Sequence, residues 1–299
     1  GEALQLSNSA ATSSKNVGSY SISNLSGVTI SDQAGANASS GALAANYTLT
    51  GGTHSFAINP KAVNIAGTRQ YNGTTNIVAS DISGITGTVN TETLTMSSGL
   101  GSTSSANVGT YNLTDTSAGT LALGNGSNGG LAANYTLSGG THQLTVNQRP
   151  LNATLARQYD GTTASAGSTL SSFDALQGGE TLTLSGSGTS ASANVANGIT
   201  MSNNGNLALV DGTGAASNYS LNSTVINIIQ RVLNSSGSKI YDANTNALAA
   251  DITLSNLVSG ETLNHSGTAT IGSANAGSYT ISNLTGITIA DGSGGAASN

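Results

Sequence analysis

The histidine and acidic side chains are the residues of this sequence that could carry catalysis or bind a metal ion. His54 and His142 occupy the same place in two similar phrases, TGGTHSF and SGGTHQL, whereas His265 stands in a different phrase. The two matched histidines are too far apart in the sequence to share a metal ion unless the chain folds back on itself. We therefore interpret them as polar residues at strand ends and predict no metal site.

The sequence holds no phrase typical of an enzyme. Nucleophilic catalysis needs a nucleophile, its base and an orienting group that converge, and the Ser, His and acidic phrases give no sign of such convergence. The loops DGTG at 211–214 and DGSG at 291–294 supply one aspartate each, whereas Ca²⁺ prefers about 6 to 8 oxygen ligands. We interpret both loops as turns and predict no enzyme activity and no cofactor.

The composition is that of a folded chain with little charge. Only 7% of the 299 residues are charged, the formal net charge is −6, and there is no cysteine. So few basic residues cannot neutralise a nucleic-acid backbone, and no apolar run approaches the roughly 18 residues that cross a membrane. Hydrophobic residues make up 36% of the chain, which is more than disordered segments carry. We therefore expect a folded protein with neither nucleic acid nor membrane as partner.

Four phrases recur in the same order along the sequence and divide it into repeats. RQYNGTT at 69–75 recurs as RQYDGTT at 157–163 and, more loosely, as KIYDANT at 239–245. The other three phrases resemble GETLTL, ANVGTY and AANYTL. Their spacing predicts two complete repeats, 61–148 and 149–230, between the partial repeats 1–60 and 231–299. We expect the sequence to be part of a longer array of such repeats.

Short β-prone stretches between Gly, Asn, Asp and Ser predict an all-β fold. The segments 141–147, 180–184 and 224–229 are examples, and several such stretches alternate with period two. Several short strands in each repeat favour tandem Ig-like β-sandwiches. Joins without a flexible Gly/Ser tract predict that the repeats form an elongated rod. A parallel β-solenoid is the alternative, although solenoid coils repeat at roughly 20 to 30 residues.

The first phrase predicts a strand, an aromatic ring that closes a core, and a tight turn. Asn-Gly and Asp-Gly pairs tolerate positive φ at little cost, and the tyrosine hydroxyl can reach a backbone group or water. The third copy has Ala243 after the aspartate, so we expect its turn to be of another type or one residue longer. The motif residues of the three copies are Tyr71, Asn72, Gly73, Tyr159, Asp160, Gly161, Tyr241 and Asp242.

A basic residue stands at each predicted join between repeats, namely Lys61, Arg149 and Arg231. One hypothesis is that each ties two repeats together through a carboxylate. The alternative is a solvated charge, because exposed ion pairs contribute only about 0 to 1 kcal/mol. The asparagines of the fourth phrase also begin NYT or NYS sequons, and their recurrence inside a strand phrase favours packing over glycosylation. Glutamates recur in the second phrase as Glu2, Glu92, Glu180 and Glu261.

The order and wording of these phrases resemble the YDG-type and related MBG-type repeats of large bacterial surface adhesins. That group includes filamentous-haemagglutinin-like, two-partner-secreted and biofilm matrix adhesins. The resemblance covers essentially the whole chain, and it implies a structural stalk or filament segment at the bacterial cell surface or in a secreted matrix. It implies no catalytic residues.

Two other functions stay open at the level of sequence. The repeats could bind a cell-surface or matrix polysaccharide or associate with one another. Alternatively, the chain could be a head-to-tail filament subunit in which β-strand addition completes the partial repeats. The expected partners are therefore neighbouring repeats, of this chain or of a longer one.

Overall fold

The computed structural model describes residues 4–22, 24–32 and 43–299. Short strands dominate it, joined by turns and brief helical segments, which confirms the predicted all-β class. The chain divides into two compact units, one with residues 1–70 and 74–147 and the other with residues 71–73 and 148–299. Within the described ranges, no helix has the length and apolar character to cross a bilayer.

The described residues of the first segment, 1–60, form two antiparallel strand pairs. Leu4–Ser7 pairs with Thr29–Asp32, and Gly18–Ser21 pairs with Ser55–Ile58. A 3-10 helix covers Ala44–Asn46, the first three residues of the fourth phrase. Glu2 lies outside the described residues.

The segment from 61 to 147 is built around one mixed sheet. Its strand order is Gly109–Leu113, His142–Asn147, Asn64–Gln70 and Ile82–Thr86. Alternate residues of the two central strands, such as Ile65 and Leu144, are fully buried, because successive side chains of a strand point to opposite faces. The remaining elements are the strand pairs Lys61–Ala62 with Tyr135–Thr136, Asn76–Val78 with Leu100–Ser102, and Leu94–Ser98 with Ala122–Asn125, the 3-10 helices Ala79–Asp81 and Ala132–Asn134, and the helix Asp115–Ala118.

The segment from 149 to 229 has a six-stranded sheet. Its strand order is Ala164–Ala166, Ser187–Ser190, Ala196–Asn203, Tyr219–Ile229, Arg149–Gln158 and Leu170–Phe173. Leu182–Ser185 and Ala208–Asp211 form a second, two-stranded sheet. Leu184 of that pair shares one core cluster with Leu155 and Ile226 of the larger sheet. Two 3-10 helices, Gly167–Thr169 and Ala216–Asn218, complete the segment.

The last segment has a smaller core around Ala247, Ile252 and Ala269. Leu263–Ile271 pairs with Asn246–Leu248, with Ile281–Asn283 and with Ile287–Asp291. Asn234–Gly237 pairs with Ile252–Ser255, and a 3-10 helix covers Ala249–Asp251.

In the segments 61–147 and 149–229, which belong to the two repeats that the sequence predicts to be complete, the first and last strands are parallel neighbours. His142–Asn147 pairs in parallel with Asn64–Gln70 over six residues, from His142 opposite Ile65 to Asn147 opposite Gln70. Tyr219–Ile229 pairs in parallel with Arg149–Gln158, from Arg149 opposite Tyr219 to Gln158 opposite Ile229. The sequence predicted these strands but not their partners, because alternation specifies which face is buried and not which strand lies alongside.

Candidate functional site: contacts between successive repeats

The motif turn is held by the basic residue that stands before it. Gly73 and Gly161 have φ of 74° and 75°, in the left-handed region that favours glycine. Arg69 donates to the carbonyl oxygens of Thr74, at 2.5 Å, and of Asn76. Arg157 likewise donates to Thr162 O and to the Asp160 carboxylate. The guanidinium thus fixes the turn that presents the motif tyrosine.

Tyr71 is built into the second compact unit, although it belongs to the preceding repeat by sequence. Its side chain is 3% exposed, and its hydroxyl donates to Glu180 Oε1 at 2.5 Å. Its ring meets that of Tyr219 edge to face, with 5.3 Å between ring centroids. The Tyr219 hydroxyl donates to Glu180 Oε2 at 2.5 Å and accepts from the Gln177 N–H at 3.1 Å. We call Tyr71, Glu180 and Tyr219 the tyrosine joint.

The same glutamate position recurs as an acceptor elsewhere. Tyr159, 6% exposed, donates to Glu261 Oε1, so again a motif tyrosine contacts the glutamate of the next repeat. Tyr135 donates to Glu92 Oε2 at 2.5 Å and accepts from the Val89 N–H at 3.0 Å, as Tyr219 does within its own repeat. Hydrogen bonds to a charged acceptor contribute about 1.5 to 3 kcal/mol each. Glu92, Glu180 and Glu261 thus each accept a hydrogen bond from at least one tyrosine hydroxyl.

The tyrosines of the joint stay protonated well into alkaline pH. Burial, followed by the hydrogen bond to Glu180, raises the pKa of Tyr71 to about 12. The same two causes, in the same order, raise the pKa of Tyr219 to about 12. An ionised tyrosine beside Glu180 would place two anions together in a poorly solvated site. Both hydroxyls consequently act as donors throughout the physiological range.

A second repeat-to-repeat contact is made by the asparagine that precedes the tyrosine of the fourth phrase. Asn134 Oδ1 accepts from the Val17 N–H at 2.9 Å, and its Nδ2 donates to Asn16 Oδ1 at 3.0 Å. Asn299 Oδ1 accepts from the Val195 N–H at 3.0 Å in the same way. Each asparagine amide thus binds the third phrase of the preceding repeat. These contacts give a packing role to Asn134, which begins an NY phrase, and to Asn299.

The hypothesis that the join residues bind carboxylates is wrong for both arginines. Arg149 donates through Nε to the carbonyl oxygen of Ala175 at 2.8 Å. Arg231 donates to Asn256 O at 2.6 Å and to Tyr159 O at 3.3 Å. The ion pairs of the described residues lie instead in the motif turns, between Arg157 and Asp160 and between Lys239 and Asp242. Lys61 is exposed in the two-residue strand Lys61–Ala62.

The third motif copy keeps the turn but not the burial. Ala243 has φ of 62°, close to the glycines of the other copies, and Asp242 Oδ1 accepts from the Asn244 N–H as Asp160 Oδ1 accepts from the Thr162 N–H. The expectation of a different or longer turn is therefore wrong, because the aspartate side chain stabilises the same conformation. Tyr241 is 65% exposed. Burial of the motif tyrosine thus accompanies the contact with a following glutamate.

The histidines take part in backbone hydrogen bonds. His142 is 3% exposed, and its Nδ1 accepts from the Ile65 N–H at 3.2 Å while Nε2 lies 2.8 Å from Leu137 O. His54 Nε2 lies 2.7 Å from Leu49 O in the matching phrase. In the described part of the chain, no group of three or more His, Asp or Glu side chains could hold a metal ion.

The sequence showed that glutamates recur in the second phrase, but it gave no indication of what they bind. It also did not indicate that the tyrosines of the fourth phrase would be their partners. One signal was available: four acids recur at one position in a chain that is only 7% charged. The motif tyrosines Tyr71 and Tyr159 are buried, and their hydroxyls donate to glutamate side chains.

The strand pattern and the recurring tyrosine–glutamate contacts define an all-β protein of linked repeats. The model of the YDG domain matches this chain three times, over residues 57–144, 141–226 and 229–299. The chain therefore belongs to the YDG domain family. Comparison with curated proteins and with solved structures gave no match.

Proposed function

We propose that this chain is a structural stalk or filament segment of a bacterial extracellular adhesin or biofilm matrix protein. The observation that carries the proposal is the tyrosine joint, in which a residue of one repeat completes the buried polar cluster of the next. Such a contact makes no use of a ligand, and it can be made again with each added repeat. An array built in this way spaces and mechanically links the regions at its two ends.

The core of the 149–230 repeat supports small sandwiches as the units of the array. In the 149–230 repeat, two sheets contribute to one core cluster, as the layers of a sandwich do. We propose tandem Ig-like sandwiches that form a rod.

Two measurements test the proposal: the increase in the length of the protein with each added repeat, and the location of the protein on the cell. Variants with one and with two additional copies of residues 149–230 are compared with the present chain by small-angle X-ray scattering. We expect the maximum dimension to grow by a constant increment for each copy. Antibodies raised against the chain should label intact cells of the encoding organism or the matrix around them. A dimension that does not grow, or label confined to the interior of permeabilised cells, would contradict the proposal.

A second candidate, a filament subunit assembled by β-strand addition, is favoured by a groove in the last repeat. Within the described chain, Asn234–Gly237 has a strand partner on one edge only, whereas Arg149–Gln158 has partners on both. The groove has a volume of about 340 Å³. Its lining includes Tyr159, Leu233, Leu254, Val258, Glu261 and Leu263.

The occupant in this second candidate is the segment 46–58 of another copy. That segment begins with the NYTL phrase, and its Tyr47 and Phe56 are 47% and 54% exposed. By analogy with Tyr219 on Glu180, its tyrosine would bind Glu261. Saturable binding of a synthetic 46–58 peptide, abolished by Glu261→Ala, together with concentration-dependent oligomers of the chain, would support the filament. Oligomers that form equally well in Glu261→Ala, or none at all, would exclude it.

A further inference from the structure

The first and last strands of each complete repeat run in the same direction, and this determines how they resist a force that pulls on the chain. In the 149–230 repeat, Arg149 lies opposite Tyr219 and Gln158 lies opposite Ile229. The chain enters the repeat at Arg149 and leaves it after Ile229. Because the two strands are parallel, these two points lie at opposite ends of the strand pair.

Tension along the chain therefore pulls these strands past each other rather than apart. In such a shear geometry the inter-strand hydrogen bonds share the load and must break together. A pair pulled from the same end opens instead one bond at a time, and each step needs less force. The evenly spaced, slanted bonds of a parallel pair all resist this sliding.

We infer that the pair Arg149–Gln158 with Tyr219–Ile229 is a force-bearing clamp, which we call the strand clamp. The clamp lies inside the six-stranded sheet, with Ala196–Asn203 on one side and Leu170–Phe173 on the other. Leu155, Ile226 and Ile228 are at most 1% exposed, so water has poor access to compete for the ladder bonds on the core face. The inference deepens the proposed function and rests on it for its biological setting.

In the 61–148 repeat the equivalent of the strand clamp consists of two parallel strand pairs. Asn64–Gln70 pairs in parallel with His142–Asn147, and Lys61–Ala62 pairs in parallel with Tyr135–Thr136. The chain again enters at the start of the first strand and leaves at the end of the last. The polarity of the clamp is therefore a property of the repeat rather than of one copy.

Two pairs of attachment points on the full chain separate shear from peeling. The chain has no cysteine, so engineered cysteines supply the only thiols to which the force probe can be attached. Gln148→Cys with Gln230→Cys loads the strand clamp in shear, whereas Gln148→Cys with Ser217→Cys pulls the same two strands apart from one end. All three positions are exposed, and Gln148 is changed in both variants, so the loss of its contact with Ser217 O affects both equally.

Single-molecule force spectroscopy at one loading rate gives the test. We expect the mean unfolding force in the shear variant to exceed that in the peeling variant by at least about twofold, because forced unfolding follows the barrier that the load must cross. The shear event should release about 80 residues, or roughly 250 Å of extended chain after the folded length is subtracted. Equal forces in the two directions, or a lower force in shear, would overturn the clamp.

The other complete repeat provides an independent version of the test. Asn59→Cys with Asn147→Cys is the shear pair, and Asn59→Cys with Ala133→Cys is the peeling pair, again at exposed positions. The same order of forces is expected, and equal forces here would restrict the clamp to the 149–230 repeat. Failure of the clamp is distinguishable from failure of the proposed function, which is judged by surface labelling and by length per repeat.

Discussion

The two complete repeats end their sheets differently. In the 61–148 repeat the last strand is interrupted, because the loop 137–141 separates Tyr135–Thr136 from His142–Asn147. In the 149–230 repeat the equivalent strand, Tyr219–Ile229, is continuous and has one register shift against its parallel partner, between Leu151 and Asn152. The sequences differ accordingly: SGGT at 138–141 has no full counterpart after the NYSL phrase at 218–221.

The interrupted and the continuous strand also carry different side chains at one matching position. His142 lies opposite Ile65 and Thr224 opposite Ala153 at matching places in the two sheets. Because His142 Nδ1 accepts from the Ile65 N–H, its Nε2 carries the proton and donates to Leu137 O. The Thr224 hydroxyl is buried and has no hydrogen-bond partner among the described residues. An interrupted strand thus needs a side chain to replace ladder bonds, and a continuous strand does not.

Alkaline pH should lower the stability of the two repeats by different amounts, and this is the largest of the expected effects. Two tyrosines with pKa of about 12 share Glu180 in the tyrosine joint, whereas Tyr135 alone contacts Glu92 within the described 61–148 repeat. Because the pKa is raised above the unfolded value of 10.0, the stabilisation is complete below pH 10 and is lost as the pH rises through 12. The expected loss is roughly 2 to 3 kcal/mol for each tyrosine of the joint.

Urea unfolding followed by circular dichroism, below pH 10 and near pH 12, measures this loss. Tyr71→Phe should remove a large part of the pH dependence, and Tyr135→Phe a smaller part. An unchanged pH dependence in Tyr71→Phe would show that the joint does not control alkaline stability.

Substitution of the acceptor glutamate should have the next largest effect. Glu180→Gln offers one acceptor oxygen where two hydroxyls donate, so we expect the free energy of unfolding to fall by about 2 to 3 kcal/mol. Glu92→Gln leaves its single tyrosine a neutral acceptor, and about 1 kcal/mol should be lost. Equilibrium denaturation of both variants checks the order. Equal losses would mean that the second tyrosine adds nothing to the joint.

Removal of the histidine should weaken only the interrupted repeat. His142→Ala leaves the Ile65 N–H and the Leu137 carbonyl without their side-chain partner, which should cost about 2 kcal/mol. Amide hydrogen exchange should show faster exchange in Asn64–Gln70 and unchanged exchange in Arg149–Gln158. Gln143→Ala, at the exposed neighbouring position, serves as the control. A comparable effect of the control would indicate general fraying of the strand.

The smallest expected effect is a gain in stability. Thr224→Val replaces a buried, unpaired hydroxyl by a methyl group of similar shape, so the free energy of unfolding should rise by about 1 kcal/mol. Thermal unfolding measures the change, and Thr224→Ala, which also loses packing, should not stabilise. A destabilised valine variant would imply that the hydroxyl is paired in solution.

The sequence predicted the positions of strands better than it predicted which strands pair with each other. The predicted segments 141–147 and 224–229 fall almost wholly within His142–Asn147 and Tyr219–Ile229, because alternation of apolar and polar residues is a local signal. The parallel pairing of first and last strands was not foreseen, since residues some 75 positions apart in the sequence carry no local mark of their contact. The partners of Arg149 and Arg231 were wrong for a related reason, because charge alone suggested a carboxylate where the nearest acceptors are carbonyl oxygens.

By itself the sequence determined the all-β class, the repeats and the first two motif turns, because periodicity, Asn-Gly or Asp-Gly pairs and β-prone stretches act over a few residues. Only the tertiary structure decided that Tyr71 and Tyr159 bind the glutamates of the following repeats, that Asn134 binds the preceding one, and that each complete repeat closes with a parallel strand pair. These features depend on burial and on hydrogen bonds between residues about 70 to 120 positions apart, and distance in a folded chain is set by packing rather than by order along the sequence.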